Sequence, residues 1–452
     1  MTNVVDLVDQ TVFVGERATG ATSLIQCVWM YNRAINIDGL RRFHHHLLRG
    51  RLCRRIEQSP LPFGRHRWVS PSDSSDIEIV ATPRPREEFD AWLSEQANTP
   101  LHSEHGPGSQ LAVLSFIDGG TGVSLVISHC IADGVGLSLA LADAASGRDD
   151  VISWPPAASR RRSRALYEDA RQTARELPAI GRAVVAAARM ARRDRGDASA
   201  RAKAPKVIGV PDERIVLPTA TVFIDVSEWD ARAQSLGGTS NTLLAGLAAD
   251  FAQRVGRVTA GEGAVALAIP VNQRTDGDTR ANAVTNVDVT VDPTQVTTDL
   301  REVRAAIKRA LTRHREVPDE RWALLPIVPL LPKRLVRRMV SVVAGSPTSV
   351  VLSNLGGIHP AVNRPDGTDA DYFAMRSLYP GVTRATMHRA GGLLAVQSAR
   401  INGRVFISVL AYQPGRHNSD DELQQRLSRT LAGFSLTPTM QWKRLEPLDG
   451  RS

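Results

Sequence analysis

The stretch "VISHCIADGVGLSL", residues 126–139, sets a run of apolar residues against one histidine, His129, with Asp133 and Gly134 four and five positions later. The Val/Ile-rich segment reads as a strand, and "VGLSLALADAAS" after the Asp-Gly pair reads as a helix, so the motif sits on a strand–loop–helix junction. Loops at the carboxyl ends of strands are where α/β proteins place functional groups. An imidazole with a near-neutral pKa takes a proton from a hydroxyl or amine and returns it later. Gly134 is read as the residue that lets the chain turn with positive φ. On spacing alone two readings stand level: a strand end capped by an aspartate, or a catalytic base held on a loop.

Outward from this point the chain divides into three textures. Residues 1–155 read as one α/β block: "TSLIQCVWMY" as a strand, "IDGLRRFHHHLLRG" as a helix, and "GSQLAVLSFIDGGTGVSLVIS" as two strands around an Asp-Gly-Gly turn. Residues 156–210 are Arg- and Ala-rich and read as a basic connector, helical and interrupted near Pro178. Residues 211–452 form a second α/β block. In it "NTLLAGLAADFAQRVGR" reads as an amphipathic helix and "TTDLREVRAAIKRALTRHR" as another. "GLLAVQSARINGRVFISVLAY" reads as a hairpin turning on Asn402-Gly403.

Composition excludes several classes. The 452 residues carry a formal charge of +9, and residues 160–206 alone hold 14 Lys/Arg against 5 Asp/Glu, which is the whole of that excess. A nucleic-acid binder with basic faces throughout is therefore disfavoured. A single basic segment marks either a solvated linker or contact with an anionic surface. Cys27, Cys53 and Cys130 show neither a disulfide framework nor metal-ligand spacing, and the N-terminus lacks an apolar signal region. A cytoplasmic protein is expected, with peripheral contact at the inner membrane face as the alternative the basic segment raises. The proline-broken "LLPIVPLLPKRLVRRMVSVV" (324–343) reads as a buried helix pair, or as a lipid-facing element. No P-loop, GxGxxG, HExxH or GxSxG motif occurs, which disfavours phosphoryl transfer, dinucleotide redox chemistry, zinc hydrolysis and serine hydrolysis. His44-His45-His46 cannot converge on one ion, because consecutive helical positions point about 100° apart.

The order of "SHCIADG", "IPVNQRTDG", "ANAVTNVDV" and "VVLSNLGG" along a chain of this length resembles the superfamily of CoA-dependent acyltransferases and condensation domains. That superfamily includes wax ester synthase/diacylglycerol acyltransferase-type enzymes and polyketide-associated acyltransferases. "SHCIADG" stands where those proteins carry HHxxxDG, with Ser128 in place of the first histidine. The plant-type DFGWG motif is absent. The resemblance implies two chloramphenicol-acetyltransferase-like α/β subdomains forming a V with a central tunnel, and His129 as general base on an acceptor nucleophile. It implies a structural Asp133 paired with Arg274 of "PVNQR", with Gly134 in the same loop. It makes Asn354, Ser353 and Asn286 candidates for the tunnel wall or for stabilising an oxyanion, with turn or capping duty as the alternative for each asparagine. Cys130 beside His129 is expected to pack into the core, since neighbours on a strand point to opposite faces.

The activity implied is that of an acyl-CoA-dependent O-acyltransferase, with acyl-CoA as co-substrate, no further cofactor or metal, and a hydroxylated small molecule, lipid or glycolipid as acceptor. Two other readings stay open: a free-standing condensation-type protein that takes its donor from a carrier protein, and a non-catalytic protein that only binds acyl chains or carriers.

Overall fold

The computed structural model describes residues 3–71, 75–148, 152–197, 212–258, 263–317, 321–336 and 349–441. In chain order the strands are β1 (Leu24–Tyr31), β2 (Arg55–Glu57), β3 (Arg67–Val69), β4 (Glu78–Ile79), β5 (Ser109–Ser115), β6 (Thr121–Ser128) and β7 (Thr219–Asp225). They continue as β8 (Val265–Asn272), β9 (Val284–Val291), β10 (Val350–Gly357), β11 (Tyr372–Leu378), β12 (Leu393–Ile401), β13 (Arg404–Tyr412) and β14 (Met440–Gln441). The helices are α1 (Leu7–Thr19), α2 (Ile37–Leu47), α3 (Phe89–Ala97), α4 (Gly134–Ala145), α5 (Arg162–Asp197), α6 (Val226–Ser235), α7 (Ser240–Arg254), α8 (Arg301–Glu316), α9 (Arg384–Arg389) and α10 (Asp420–Gly433).

The strands form two principal sheets, each with its own apolar core, in the orders β11-β1-β6-β5-β4 and β14-β7-β13-β12-β10-β8-β9. Every residue of β1 and of β6 is buried, and the polar Gln26 and Ser124 among them satisfy each other, Gln26 Nε2 donating to the Ser124 hydroxyl at 2.8 Å. β11 comes from the C-terminal half of the chain and pairs antiparallel with β1, Gln26 opposite Arg376. One strand of the second block thus completes the sheet of the first. The Trp29 indole N–H donates to the Val362 carbonyl at 2.8 Å, and its ring packs on Phe43 and Phe373, which locks this crossing into the first core.

In the second sheet β10 runs parallel to both β8 and β12, and the β12–β13 hairpin turns on Asn402 and Gly403 at φ 45° and 73°. Positive φ at both central residues is the geometry of a type I′ turn. α7 departs from the expected amphipathic pattern, because every residue from Thr242 to Ala252 is buried. α6, α8, α10, β8 and β10 surround it. Small residues permit that enclosure: a Cβ on Gly246 would come within 2.6 Å of Leu300.

The basic connector also departs from expectation, since α5 runs through Pro178 without interruption. Its acids dock it. Buried Asp169 accepts from Ser59 at 2.7 Å, Arg160 at 2.9 Å and Arg67 at 3.1 Å, while Glu176 pairs with Arg65. The apolar stretch expected as a helix pair contains, where described, a 3₁₀ segment, Trp322–Leu330, broken by Pro326 and Pro329 and packed on α1 and α5, and then a helical turn at 333–336. Prolines three apart remove the donors an α-helix would need. Residues 337–343 of that stretch lie outside the described residues.

Asp169→Ala should loosen α5 from the first block. Hydrogen bonds to charged groups contribute about 1.5–3 kcal/mol each, so chemical denaturation should show a loss of at least about 2 kcal/mol. An unchanged unfolding midpoint would show that α5 is not held this way.

Candidate active site

β6 ends at Ser128, and the next residue is fixed to the strand's neighbour: the His129 N–H donates to the Ser23 carbonyl at 2.9 Å. The loop that follows is fastened mainly by residues distant in the chain. The Asp133 N–H donates to the Ala281 carbonyl at 2.9 Å, Asn282 Nδ2 donates to the His129 carbonyl at 3.0 Å, and Arg54 Nη2 donates to the Ile131 carbonyl at 2.6 Å. α4 then starts at Gly134, with Asp133 as N-cap: its Oδ1 accepts from the Gly136 N–H at 2.6 Å. Side-chain capping of this kind satisfies one of the free donors at a helix start.

Asp133 has a second duty. Its Oδ2 accepts from Arg274 Nη2 at 3.0 Å and from the Ala283 N–H at 2.8 Å, with both side chains of the pair almost fully buried. The Arg274 guanidinium also donates to the carbonyls of Arg280, at 2.9 Å, and Ala281, at 3.1 Å. Gly136 makes room for it, since a Cβ there would stand 2.9 Å from Arg274 Nη2. Gly134, expected to turn with positive φ, is instead the first residue of α4 and lies outside the left-handed region. A Cβ there would approach Leu355 Cδ2 of β10 to 2.9 Å, so a larger residue would have to displace that leucine tip.

α1 contributes a further buried carboxylate. Asp9 accepts from the backbone N–H groups of Ala281 and Asn282 at 2.9 and 2.7 Å and from Asn282 Nδ2 at 3.1 Å. Burial pushes its pKa up to about 6, against the opposing pull of Arg54 and these hydrogen bonds. Cys130 is fully buried, and burial drives its thiol well above the usual range, with the nearby Glu16 carboxylate adding to the effect. Burial in turn pushes Glu16 up to about 7.

The half-buried His129 imidazole has no hydrogen-bond partner among the described residues. It lines a cavity of about 170 Å³ whose walls come from both principal sheets. Asp133, Gly134, Asn286, Ser353 and Asn354 line the same cavity, whereas Arg274 stands behind the wall and is not part of the lining. Asn354 makes a local turn, accepting from the Gly356 N–H at 2.9 Å and donating to Asn241. Asn286 has no side-chain partner among the described residues.

Among the lining residues that escaped the sequence reading are Arg376 and Ser377 of β11, Tyr379 just beyond it, and Gln397 of β12. Gln397 is 7% exposed and sits beside Ser353 across the parallel β10–β12 pair. Its Oε1 accepts from the Ser377 hydroxyl at 3.3 Å, and its Nε2 has no partner among the described residues. That Nε2 lies 3.7 Å from where a Gly134 Cβ would be. The alternation of "LLAVQSARI" marks Gln397 only as one more strand residue. A polar side chain amid buried neighbours was the available signal.

No family model and no curated protein matches the chain. Solved structures do, and they show the fold. The first condensation domain of the calcium-dependent antibiotic synthetase, solved with a substrate analogue, matches at 14% identity and a TM-score of 0.59, covering 98% of each chain. The starter condensation domain of rhizomide synthetase matches at 12% identity and a TM-score of 0.52, over 96% of this chain and 94% of that one. Polyketide synthase associated protein 5 from Mycobacterium tuberculosis matches at 14% and 0.52, over 93% and 94%. The chain shares its fold with these condensation domains.

Removing one partner of a buried ion pair typically costs about 3–5 kcal/mol because the other charge is stranded. Asp133→Asn and Arg274→Ala should each fall near that range by denaturant titration, and the double variant should cost clearly less than their sum. A strictly additive cycle would show that the two charges do not stabilise each other.

Proposed function

We propose that this protein is an acyltransferase that moves an acyl group from an acyl thioester, acyl-CoA, to the hydroxyl of a lipid or glycolipid acceptor, with His129 as general base. The observation that carries this reading is the unpartnered imidazole opening on a cavity between two sheets, on a loop held from both. A histidine kept for packing would be expected to have its nitrogens satisfied.

The reaction then runs without an acyl-enzyme. The acceptor O–H gives its proton to the imidazole as its oxygen attacks the thioester carbonyl carbon. The resulting tetrahedral oxyanion collapses, the C–S bond breaks, and the leaving sulfur takes the proton back from the imidazolium. Ester and free thiol are the products. Cys130 is unsuited to nucleophilic attack, since its thiol is buried and held protonated. Gln397 Nε2 is the donor proposed to stabilise the oxyanion, because it is unpartnered among the described residues and its side chain lines the same cavity as His129. Asp133 and Arg274 hold the loop and do not touch the substrate.

Transfer from a carrier-bound donor is the second reading, favoured by the condensation-domain fold of the synthetase structures. Release of free thiol from a panel of acyl-CoAs, against the same acyl groups on a carrier protein, separates the two. Mass spectrometry of products formed in a lipid extract then identifies the acceptor.

General-base catalysis contributes roughly 10²–10⁴-fold in rate, and His129→Ala should lose that much while unfolding at the wild-type midpoint. Cys130→Ala should keep its turnover. A folded, inactive Cys130→Ala beside an active His129→Ala would contradict the mechanism. Losing one oxyanion donor costs about 10²–10³ in kcat, so Gln397→Leu should lower kcat with little change in KM. A wild-type kcat in that variant would remove Gln397 from the reaction and leave His129 in place.

A further inference from the structure

α5 sorts its charges by face. All three acids between residues 162 and 190, namely Glu168, Asp169 and Glu176, pair with arginines: Arg160 and Arg164 hold Glu168, Arg67 and Arg160 hold Asp169, and Arg65 holds Glu176. Ala165 and Ala183 are buried on the same docked side. At 3.6 residues per turn these positions share one side of the helix.

The rest of the helix surface carries two adjoining rows. Leu166, Leu177 and Val184 fall on one line along the axis, with Tyr167 and Val185 next to it, and together they span a sector of about 100°. All five are exposed: Tyr167 by 68%, Leu177 by 59% and Val184 by 54%. Directly beside Tyr167 and Val185 runs a line of five exposed arginines: Arg164, Arg171, Arg175, Arg182 and Arg189. The last four make no hydrogen bond or ion pair among the described residues. An exposed apolar stripe of this length on a surface helix marks an interaction site.

We infer that this face of α5 lies in the headgroup layer of an anionic lipid surface. The chemistry fits that occupant in two ways. Apolar side chains in a stripe about 100° wide suit shallow insertion at the acyl boundary. A flanking row of long cationic side chains rests its stems on the same apolar phase while its heads reach the phosphates. An acidic protein would complement the arginines, but it would leave the apolar stripe to be matched separately. Docking through the acids is what makes the outward face purely basic. The inference stands apart from the acyl-transfer chemistry, since it concerns only where the chain rests.

The test uses the full chain and vesicles of phosphatidylglycerol with phosphatidylcholine, against phosphatidylcholine alone. Co-sedimentation should occur with the anionic vesicles, weaken as salt is raised, and be slight on the neutral ones. Each arginine neutralised in the row (Arg175→Gln, Arg182→Gln) should lower vesicle affinity about fivefold. Leu177→Asp with Val184→Asp should abolish binding while the circular dichroism spectrum and unfolding midpoint stay those of the wild type. These positions are exposed, so the fold has little at stake in them. No sedimentation with anionic vesicles at low salt would overturn the inference and leave an acidic protein as the partner for the row. Binding that ignores the Leu177/Val184 change would also overturn it.

Discussion

The Asp133 carboxylate is the point on which the site depends. It caps the first turn of α4, receives the Arg274 guanidinium, and accepts from the Ala283 backbone, so a single side chain joins the loop after β6 to the segment between β8 and β9. Burial of so polar a group is tolerable only because each oxygen is satisfied. Asp9 repeats the device one layer away, holding residues 281 and 282 from α1 while Asn282 holds the His129 carbonyl. Two buried carboxylates and two buried arginines, Arg54 and Arg274, thus fix a loop that would otherwise be an exposed strand-to-helix turn.

This arrangement leaves the proposed base outside the network. The backbone of His129 is pinned on both sides, yet its ring has no partner among the described residues and opens on the cavity. A base held in place without its nitrogens being consumed is free to meet a substrate proton. Gln397 has the same character from the opposite sheet: its carbonyl end is tied to Ser377 and its amide end is open. β11, which crosses from the second block to the edge of the first sheet, packs there against β12 and β13 of the second sheet and so brings the two cavity walls together.

What the sequence made legible is what is local. The strand, the histidine and the helix of residues 126–145 are specified within twenty residues by periodicity and by an aspartate in capping position. Asn402-Gly403 announces its hairpin in the same way, through residues that tolerate positive φ. The crossing of β11 was not legible, because "YFAMRSL" would suit either sheet and the choice is made by a partner more than three hundred residues away. Nothing near Asp9 in the sequence marks it either, since the backbone it holds lies more than 270 residues away. Gly134 was found, but it begins a helix rather than a positive-φ turn and sits close to Leu355 of β10. Pro178 was expected to break α5, yet the helix continues across it, docked on the first block by Asp169 and Glu176 on either side. In each case a contact between distant segments decided what the local pattern left open.

The central claim is that the cavity beside His129 is where a thioester is consumed. Its most direct test is an experimental structure of the protein with a non-hydrolysable acyl thioester analogue. The account predicts the carbonyl of the analogue in the cavity between the sheets, its oxygen in hydrogen-bond reach of Gln397 Nε2 and its carbon facing the His129 imidazole. An analogue bound elsewhere, or one whose carbonyl is walled off from His129 by the Asp133 loop, would contradict it.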